Sequence, residues 1–274
     1  MGTHFKQGFT IIETMLVLAI TGVLIASLIV GVGGTVNAQR YKDSVNSLQV
    51  LLQDQYAQVD NVTNVNERSS TWTCDRNANT AESKAEDSGA PGQSDCVLLG
   101  RLVIIDNSNI STASVVGREK LNPNDTLTDV EDLKNNYAFG IPSGSVETTT
   151  LEWGAAIAWP TTGIDAKTGV RDRTFSMLVV RSPKSGATYT FTSDSDTAMN
   201  AVNSSTLSSM MVASNSVPGQ AQRFLCVDPS PGTNGLTVPE KLSVTVDQAA
   251  SAPSGIETRT QSINQGLRQD SSCN

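Results

Sequence analysis

Histidine is almost absent from this chain of 274 residues, in which His4 is the single one. Ser–His–Asp triads, Cys–His pairs and most sites where a metal activates water depend on histidine. The sequence also lacks a nucleophile elbow, a P-loop and a dinucleotide-binding glycine motif, and Ser143 in GIPSGS has the spacing of a turn. These absences predict that the protein is not an enzyme and uses no cofactor.

Aromatic and basic residues are also scarce. Aromatics make up 5% of the chain, and 19 basic residues face 27 acidic ones, giving a net charge of −8. This charge argues against general binding to nucleic acid or to anionic membranes. The distal part is rich in Ser, Thr, Asn, Gly and Ala, with short runs of Val, Ile and Leu. Such a composition is typical of an extracellular β-rich domain.

Charge is missing altogether between Glu13 and Arg40, a run of 26 residues. A helix needs about 20 apolar residues to cross a bilayer, so this run is long enough. A carboxylate within a membrane helix costs roughly 2.5–3.5 kcal/mol on insertion scales. Glu13 therefore requires a functional explanation and a partner.

The N-terminal segment has three possible interpretations, and the residues around the start of the apolar run distinguish them. A secretory signal peptide would have a shorter apolar core, and a plain signal anchor would leave Glu13 unexplained. Gly8 followed by Phe9-Thr10-Ile11-Ile12-Glu13 resembles the N-terminal signature of type IV prepilins and type II secretion pseudopilins.

This resemblance implies specific roles for three residues. In the family, a membrane peptidase cleaves after the glycine and the new N-terminal residue is methylated, so Gly8 would end the leader and Phe9 would carry the methyl group. Glu13 would serve filament assembly, opposite the N-terminal amine of a neighbouring subunit, where the two charges neutralise each other. The implied partners are the prepilin peptidase, other pilin subunits, the membrane and an inner-membrane assembly platform.

The helix is predicted to continue beyond the apolar run. Apolar residues from Tyr41 to Val59 recur at steps of three and four, which marks one face of a helix. We therefore expect a leader at 1–8, a transmembrane or filament-core part of the helix at 9–36 and an amphipathic part at 37–61. Glycines within 31–34 either bend the helix or allow close helix packing.

Residues 62–274 are predicted to form an extracytoplasmic β-rich head. Residues 61–95 lose all periodicity, and the segment 77–95 within them is predicted to be a loop. The strand-like runs that follow are 96–106, 151–159, 174–182, 187–193, 222–228 and 241–247. Turn residues from Pro183 to Gly186 predict a hairpin, whereas the interpretation of 195–218 stays open between helix and loop. The predicted fold is α+β, a long N-terminal helix packed on an antiparallel sheet. The order of the runs also resembles GspH/FimT-like minor pseudopilins.

The four cysteines are Cys74, Cys96, Cys226 and Cys273, and none lies in a CxxC pair. An even number on an anchored chain favours two disulfides in an oxidising compartment. Three pairings exist, and we favour Cys74–Cys96 and Cys226–Cys273 because each closes a local loop. The second would hold a C-terminal tail with too few large apolar residues to order itself.

Two acidic clusters and one basic segment are candidate binding sites. Asn124, Asp125 and Asp129 could ligate calcium, as could Asp194 with Asp196, but neither cluster fits an EF-hand, and Asp129 is better explained as the start of a short helix. The basic segment could contact the phosphates of DNA, although a solvated hairpin is the simpler interpretation. Its residues are Lys167, Arg171, Arg173, Arg181 and Lys184.

The sequence thus favours a type IV pilin-like filament subunit with a structural role in pilus assembly, surface adhesion, motility or DNA uptake. The alternative within the family is a type II secretion pseudopilin. The alternative from another class is a membrane-anchored extracellular binding domain or enzyme. The precursor is expected to be a single-pass membrane protein whose head reaches the extracytoplasmic face or the cell surface.

Overall fold

The computed structural model describes most of the chain. The described residues are 10–60, 71–74, 81–84, 96–120, 123–159, 163–164, 171–194, 197–211, 222–229, 241–247 and 250–260. The leader residues 1–8 and Phe9 lie outside them.

One long helix, α1 (Ile11–Asp60), opens the structure. Its 50 residues span about 75 Å. Thr10 begins the helix, since its hydroxyl accepts a hydrogen bond from the Glu13 amide at 3.3 Å. The hydroxyls of Thr14 and Thr21 donate to carbonyls one turn earlier, which keeps these polar groups satisfied inside an apolar run. The helix is continuous through residues 31–34, so the glycines do not interrupt it.

The two halves of α1 have different surroundings. The large apolar residues from Ile11 to Val36 are exposed to solvent in this chain. The predicted stripe on the second half is confirmed, because each of its six residues is at most 3% exposed. These residues are Tyr41, Val45, Leu48, Leu52, Tyr56 and Val59.

The rest of the described structure is built mainly from strands. In chain order they are β1 (Thr71–Cys74), β2 (Ala81–Lys84), β3 (Val97–Asp106), β4 (Asn109–Glu119), β5 (Tyr137–Gly140), β6 (Glu147–Thr150), β7 (Ala156–Trp159), β8 (Gly163–Ile164), β9 (Arg171–Asp172), β10 (Thr174–Arg181), β11 (Thr188–Ser193), β12 (Gln222–Asp228), β13 (Leu242–Asp247) and β14 (Ile256–Thr260). Two short helices are α2 (Asp129–Asn136) and α3 (Ser204–Met210).

Two antiparallel sheets form the head. The first has the order β11-β10-β3-β4-β5, with β6 pairing the other end of β4. The second has the order β14-β13-β12-β7. The β3–β4 turn joins them, since Leu151 and Ile157 donate backbone hydrogen bonds to Ser108 and Asn107. β1 pairs with β2 and β8 with β9 in separate two-stranded sheets.

Alternation along the first sheet separates two hydrophobic cores. Val103, Ile105 and Met177 point toward α1 and meet residues of the second sheet such as Val244. Leu102 and Leu178 point to the opposite face, which α2 and α3 cover through Leu133 and Leu207. Because both faces are buried at the centre of the sheet, β3 and β10 are mostly apolar on both sides.

The predicted α+β class and the hairpin formed by β10 and β11 are confirmed. Other details of the prediction were wrong. The predicted loop contains β2, and β1, β4, β5 and β6 were not predicted. Strand β7 begins at Ala156 rather than at Leu151, because Glu152–Gly154 form a 3₁₀ turn. Residues 195–218, which the sequence left undecided between helix and loop, contain the helix α3.

The C-terminal tail needs a further correction. We expected residues from 249 onward to depend on a covalent tie for their order, yet β14 (Ile256–Thr260) is paired along β13. Helix α1 covers its outer side, where the amide of Gln53 donates to the Ile256 carbonyl at 2.9 Å and Gln49 accepts from the Thr258 hydroxyl at 2.6 Å. Backbone pairing, these glutamines and the buried side chain of Ile256 order the strand without a covalent tie. Residues 261–274 lie outside the described residues.

Tyr41 fixes α1 to the second sheet where β12 and β13 separate. Its hydroxyl accepts a hydrogen bond from the Leu242 amide at 2.7 Å and donates to the Val227 carbonyl at 3.0 Å. Burial raises the pKa of the Tyr41 phenol.

Tyr41→Phe should lower the free energy of unfolding by about 1–3 kcal/mol, because it leaves the Leu242 amide without a partner. Urea denaturation of the full chain in detergent would measure this loss. Tyr137→Phe is the matched control, since Tyr137 is also buried at its ring but has no hydroxyl bond among the described residues. Equal losses for the two variants would show that the hydroxyl of Tyr41 contributes nothing specific.

Candidate functional site

The candidate site is the exposed N-terminal half of α1. Its most apolar part, Ile11–Ile29, has 19 residues with a mean hydropathy of 2.3, and none of it is buried inside the chain. It spans roughly 28 Å, close to the ~30 Å hydrocarbon core of a bilayer. A surface of this kind requires lipid or other helices around it.

Glu13 lies in the first turn of this helix and is exposed. Among the described residues its carboxylate has neither a hydrogen bond nor an ion pair. The positive end of the helix dipole favours a negative charge in this turn, but that effect is worth only about 0.3–1 kcal/mol. It does not offset the cost of placing a carboxylate at membrane depth. The geometry therefore leaves Glu13 available to a cationic group from outside the described structure.

The site combines a membrane-length helix, one acidic residue near its start and an α+β head that holds only the far half of the helix. This arrangement defines a class of membrane-anchored chains that can associate through their N-terminal helices. Residues 4–29 match the family model of the prokaryotic N-terminal methylation motif. The chain thus carries the signature of type IV pilins and pseudopilins. No curated protein and no solved structure matches the chain.

The motif and the single N-terminal apolar helix together fit a single-pass membrane precursor that becomes part of a surface filament. The two residues at the predicted cleavage point, Gly8 and Phe9, lie within the matched range but outside the described residues. Their cleavage and methylation stay predictions, as does the role of Glu13.

The predicted basic patch is divided in the structure. Arg173 precedes β10 and Arg181 ends it, so these two residues lie about 26 Å apart. The Arg181 guanidinium donates to the Asp60 carbonyl at the end of α1, and the Lys184 ammonium donates to the carbonyls of Asp125 and Leu127. The side chains of Lys167 and Arg171 lie outside the described residues. The described members therefore serve contacts within the head and do not form one compact surface.

The first acidic cluster contacts the hairpin formed by β10 and β11. The Asp129 carboxylate accepts hydrogen bonds from the hydroxyls of Ser185 and Tyr189, and these bonds lower the pKa of its carboxyl group. The side chain of Asn124 accepts from the amide and hydroxyl of Thr126. No group of three or more His, Cys, Asp or Glu suited to a metal lies among the residues that the structure describes.

Calcium should leave the thermal unfolding temperature of the protein unchanged, because the ammonium of Lys184 already occupies the carbonyls of Asp125 and Leu127. Lys184→Met should destabilise the head by less than about 1 kcal/mol, since the contact is exposed. Differential scanning calorimetry with calcium and with magnesium as control would measure both effects. A rise in the unfolding temperature with calcium that Asp129→Asn abolishes would establish a calcium site.

The second acidic cluster consists of Asp194 and Asp196, and the structure describes only Asp194. Asp194 forms an ion pair with Arg223 at 3.1 Å, and Asp196 lies outside the described residues. This ion pair connects the end of β11 to β12 and so joins the two sheets.

Cys96 and Cys226 are both disulfide-bonded. The side chains of Cys74 and Cys273 are outside the described residues, so the pairing Cys74–Cys96 and Cys226–Cys273 stays a prediction. Cys96 directly precedes β3 and Cys226 lies in β12. A disulfide at each place would connect a different sheet to its flanking segment.

Two features near the site were not predicted from the sequence. Arg101 is buried on the α1 side of β3, where its guanidinium donates to Gln55, Ser114 and Thr112. Trp153 is exposed beside Arg40, whose guanidinium lies 4.9 Å from the centre of the ring. The sequence gives no sign of the contacts between Arg101 and Gln55 or between Arg40 and Trp153, because each contact joins segments that are far apart in the chain.

Proposed function

We propose that this protein is a subunit of a type IV pilin-like filament, made as a membrane-anchored prepilin, cleaved after Gly8 and then assembled through the N-terminal half of α1. Its role is structural, in filament assembly and in whatever surface contact the head makes. The observation that carries the proposal is the methylation motif at 4–29 on a helix whose apolar half is wholly exposed.

The division of α1 into two halves supports this proposal. The head covers only the stripe from Tyr41 to Val59, and the exposed half has no partner among the described residues. When the apolar half of α1 leaves the membrane, other apolar surfaces must replace the lipid around it. Identical helices from neighbouring subunits supply these surfaces. In such a bundle the Glu13 carboxylate can pair with the amine at the N-terminus of the next subunit.

A pseudopilin of a secretion system would use the same helix and the same processing, so it remains the alternative within the family. An anchored enzyme is disfavoured by the near absence of histidine and of recognisable catalytic motifs. The basic residues whose side chains the structure describes give no compact surface for DNA, so we do not include DNA binding in the proposal.

Coexpression with a prepilin peptidase should give a mature chain that begins at Phe9 with a methylated amine. Mass spectrometry of N-terminal peptides from the membrane or filament fraction would show it. Gly8→Leu should block cleavage. Gly22→Leu is the matched control, because nothing lies within 4 Å of a Cβ at that position, and it should be cleaved as wild type. An intact N-terminus in the presence of the peptidase, or cleavage near Asn37, would overturn the prepilin assignment.

A further inference from the structure

Trp153 lies at the end of the head from which the apolar half of α1 emerges. Its side chain is 57% exposed, and it is the one aromatic among the exposed large hydrophobic residues of the described head. Its backbone has a φ of 59°, which is unfavourable for a bulky side chain. The turn is held against α1, since the Ser47 hydroxyl donates to the Glu152 carboxylate at 3.2 Å. The fold thus presents this ring at the base of the head.

Arg40 completes an amphipathic surface around the ring. Its guanidinium lies 4.9 Å from the ring centre, in a cation–π arrangement. Both residues line a cleft of about 100 Å³ together with Asn37, Ser44 and Pro229. The Ser44 hydroxyl is fully buried and has no hydrogen-bond partner among the described residues.

The length of α1 sets the depth of this surface. Arg40 follows Glu13 by 27 residues, which corresponds to about 40 Å along the helix. A bilayer with its headgroup layers is about 40–45 Å thick. When Glu13 lies at the cytoplasmic boundary, Arg40 and Trp153 therefore lie in the outer headgroup layer. Tryptophan is the residue that most favours this layer, because its ring is apolar and its N–H is polar.

We propose that Trp153 and Arg40 bind the phospholipid headgroups of the membrane that holds the precursor and so fix the orientation of the head before assembly. The guanidinium contacts a phosphate, and the exposed carboxylate of Glu152 meets the ammonium of a zwitterionic headgroup. The pair of opposite charges favours zwitterionic over purely anionic lipid. The proposal depends on α1 spanning the membrane and is independent of filament assembly.

Quenching of tryptophan fluorescence can test this position. The full chain is inserted into vesicles of phosphatidylethanolamine and phosphatidylcholine, with and without a nitroxide on part of the phosphatidylcholine headgroups. In a background with Trp72→Phe and Trp159→Phe, the emission of Trp153 should fall about twofold with the nitroxide lipid. The control carries the single tryptophan as Val97→Trp, with Trp153→Phe. Val97 is exposed at the far end of β3, about 30 Å from the turn that contacts the Trp153 segment. Its emission should change by less than about a tenth.

A second measurement avoids substituting Trp72 and Trp159. Wild-type chain labelled with 5-fluorotryptophan has three fluorine resonances, one for each tryptophan. The nitroxide lipid should broaden one of them, and that resonance should be absent in Trp153→Phe. Arg40→Gln should reduce the broadening, whereas Arg40→Lys should retain most of it because a cation remains.

Equal quenching of Trp153 and of the control tryptophan, or none for either, would overturn the proposal. Protection of Trp153 only in assembled filaments would assign the surface to a neighbouring subunit and would equally reject the lipid contact. Failure of processing at Gly8 with normal quenching would reject the prepilin assignment and leave this inference intact.

Discussion

Glu13→Ala subunits should reach the membrane and be cleaved as wild type, yet enter filaments at least about tenfold less often. Insertion scales put the cost of an ionised carboxylate at the centre of a membrane helix at roughly 2.5–3.5 kcal/mol, and the cost for Glu13 in the first turn is smaller. Pairing with an amine from another subunit removes this cost, so assembly gains a driving force that alanine lacks. Because 1.4 kcal/mol corresponds to a factor of ten, about half of the central cost is enough for this effect.

The measurement is the ratio of variant to wild-type subunits in sheared filaments and in membranes, with both forms coexpressed and distinguished by mass. Glu13→Gln keeps the size of the side chain and removes the charge, so it should assemble as poorly as the alanine variant. Thr14→Ala is the matched control, because the Thr14 hydroxyl only donates to the Ile11 carbonyl within the helix. Normal incorporation of Glu13→Gln would show that the charge is not what recruits the subunit.

Leu52→Ala should lower the free energy of unfolding of the head by about 2–5 kcal/mol, since Leu52 is fully buried between α1 and the sheets. The cost arises from lost burial and from the cavity that remains. Proteins of ordinary stability have a free energy of unfolding of about 5–15 kcal/mol, so this loss would be a large part of the total. Urea denaturation of the full chain, followed by tryptophan fluorescence in detergent, would measure this difference.

Val50→Ala is the control on the opposite face of the same helix, where Val50 is 62% exposed. It should change stability by less than about 0.5 kcal/mol, because no cavity forms. Similar losses for Leu52→Ala and Val50→Ala would mean that the predicted stripe does not pack on the head. This comparison tests the head alone and says nothing about assembly.

Helix α1 could be predicted from the sequence because the patterns that define it lie within one continuous segment. The stripe from Tyr41 to Val59 follows helical periodicity, and Glu13 is conspicuous within an uncharged run. The strands β10 and β13 were also predictable, since each has a β-rich run with turn residues beside it.

Strand β4 was not predicted, because polar residues interrupt its apolar run. Thr112 and Ser114 are buried in the structure, and both accept hydrogen bonds from the guanidinium of Arg101. Those partners lie on another strand, so the polar pattern has an explanation only in three dimensions. Strand β14 was missed for a related reason, since glutamines of α1 satisfy its outer edge. Trp153 could not be assigned a role without the turn that places it beside Arg40.

The way in which the head holds α1 determines how it responds to mechanical force. Contacts are distributed from Tyr41, through the glutamines on β14, to Arg181 at the Asp60 carbonyl. Tyr41 and Asp60 are about 28 Å apart along the helix. A pull along the axis loads all these contacts at once in shear, whereas a pull across the axis peels them one after another. The head should therefore resist tension along its own helix far better than sideways force.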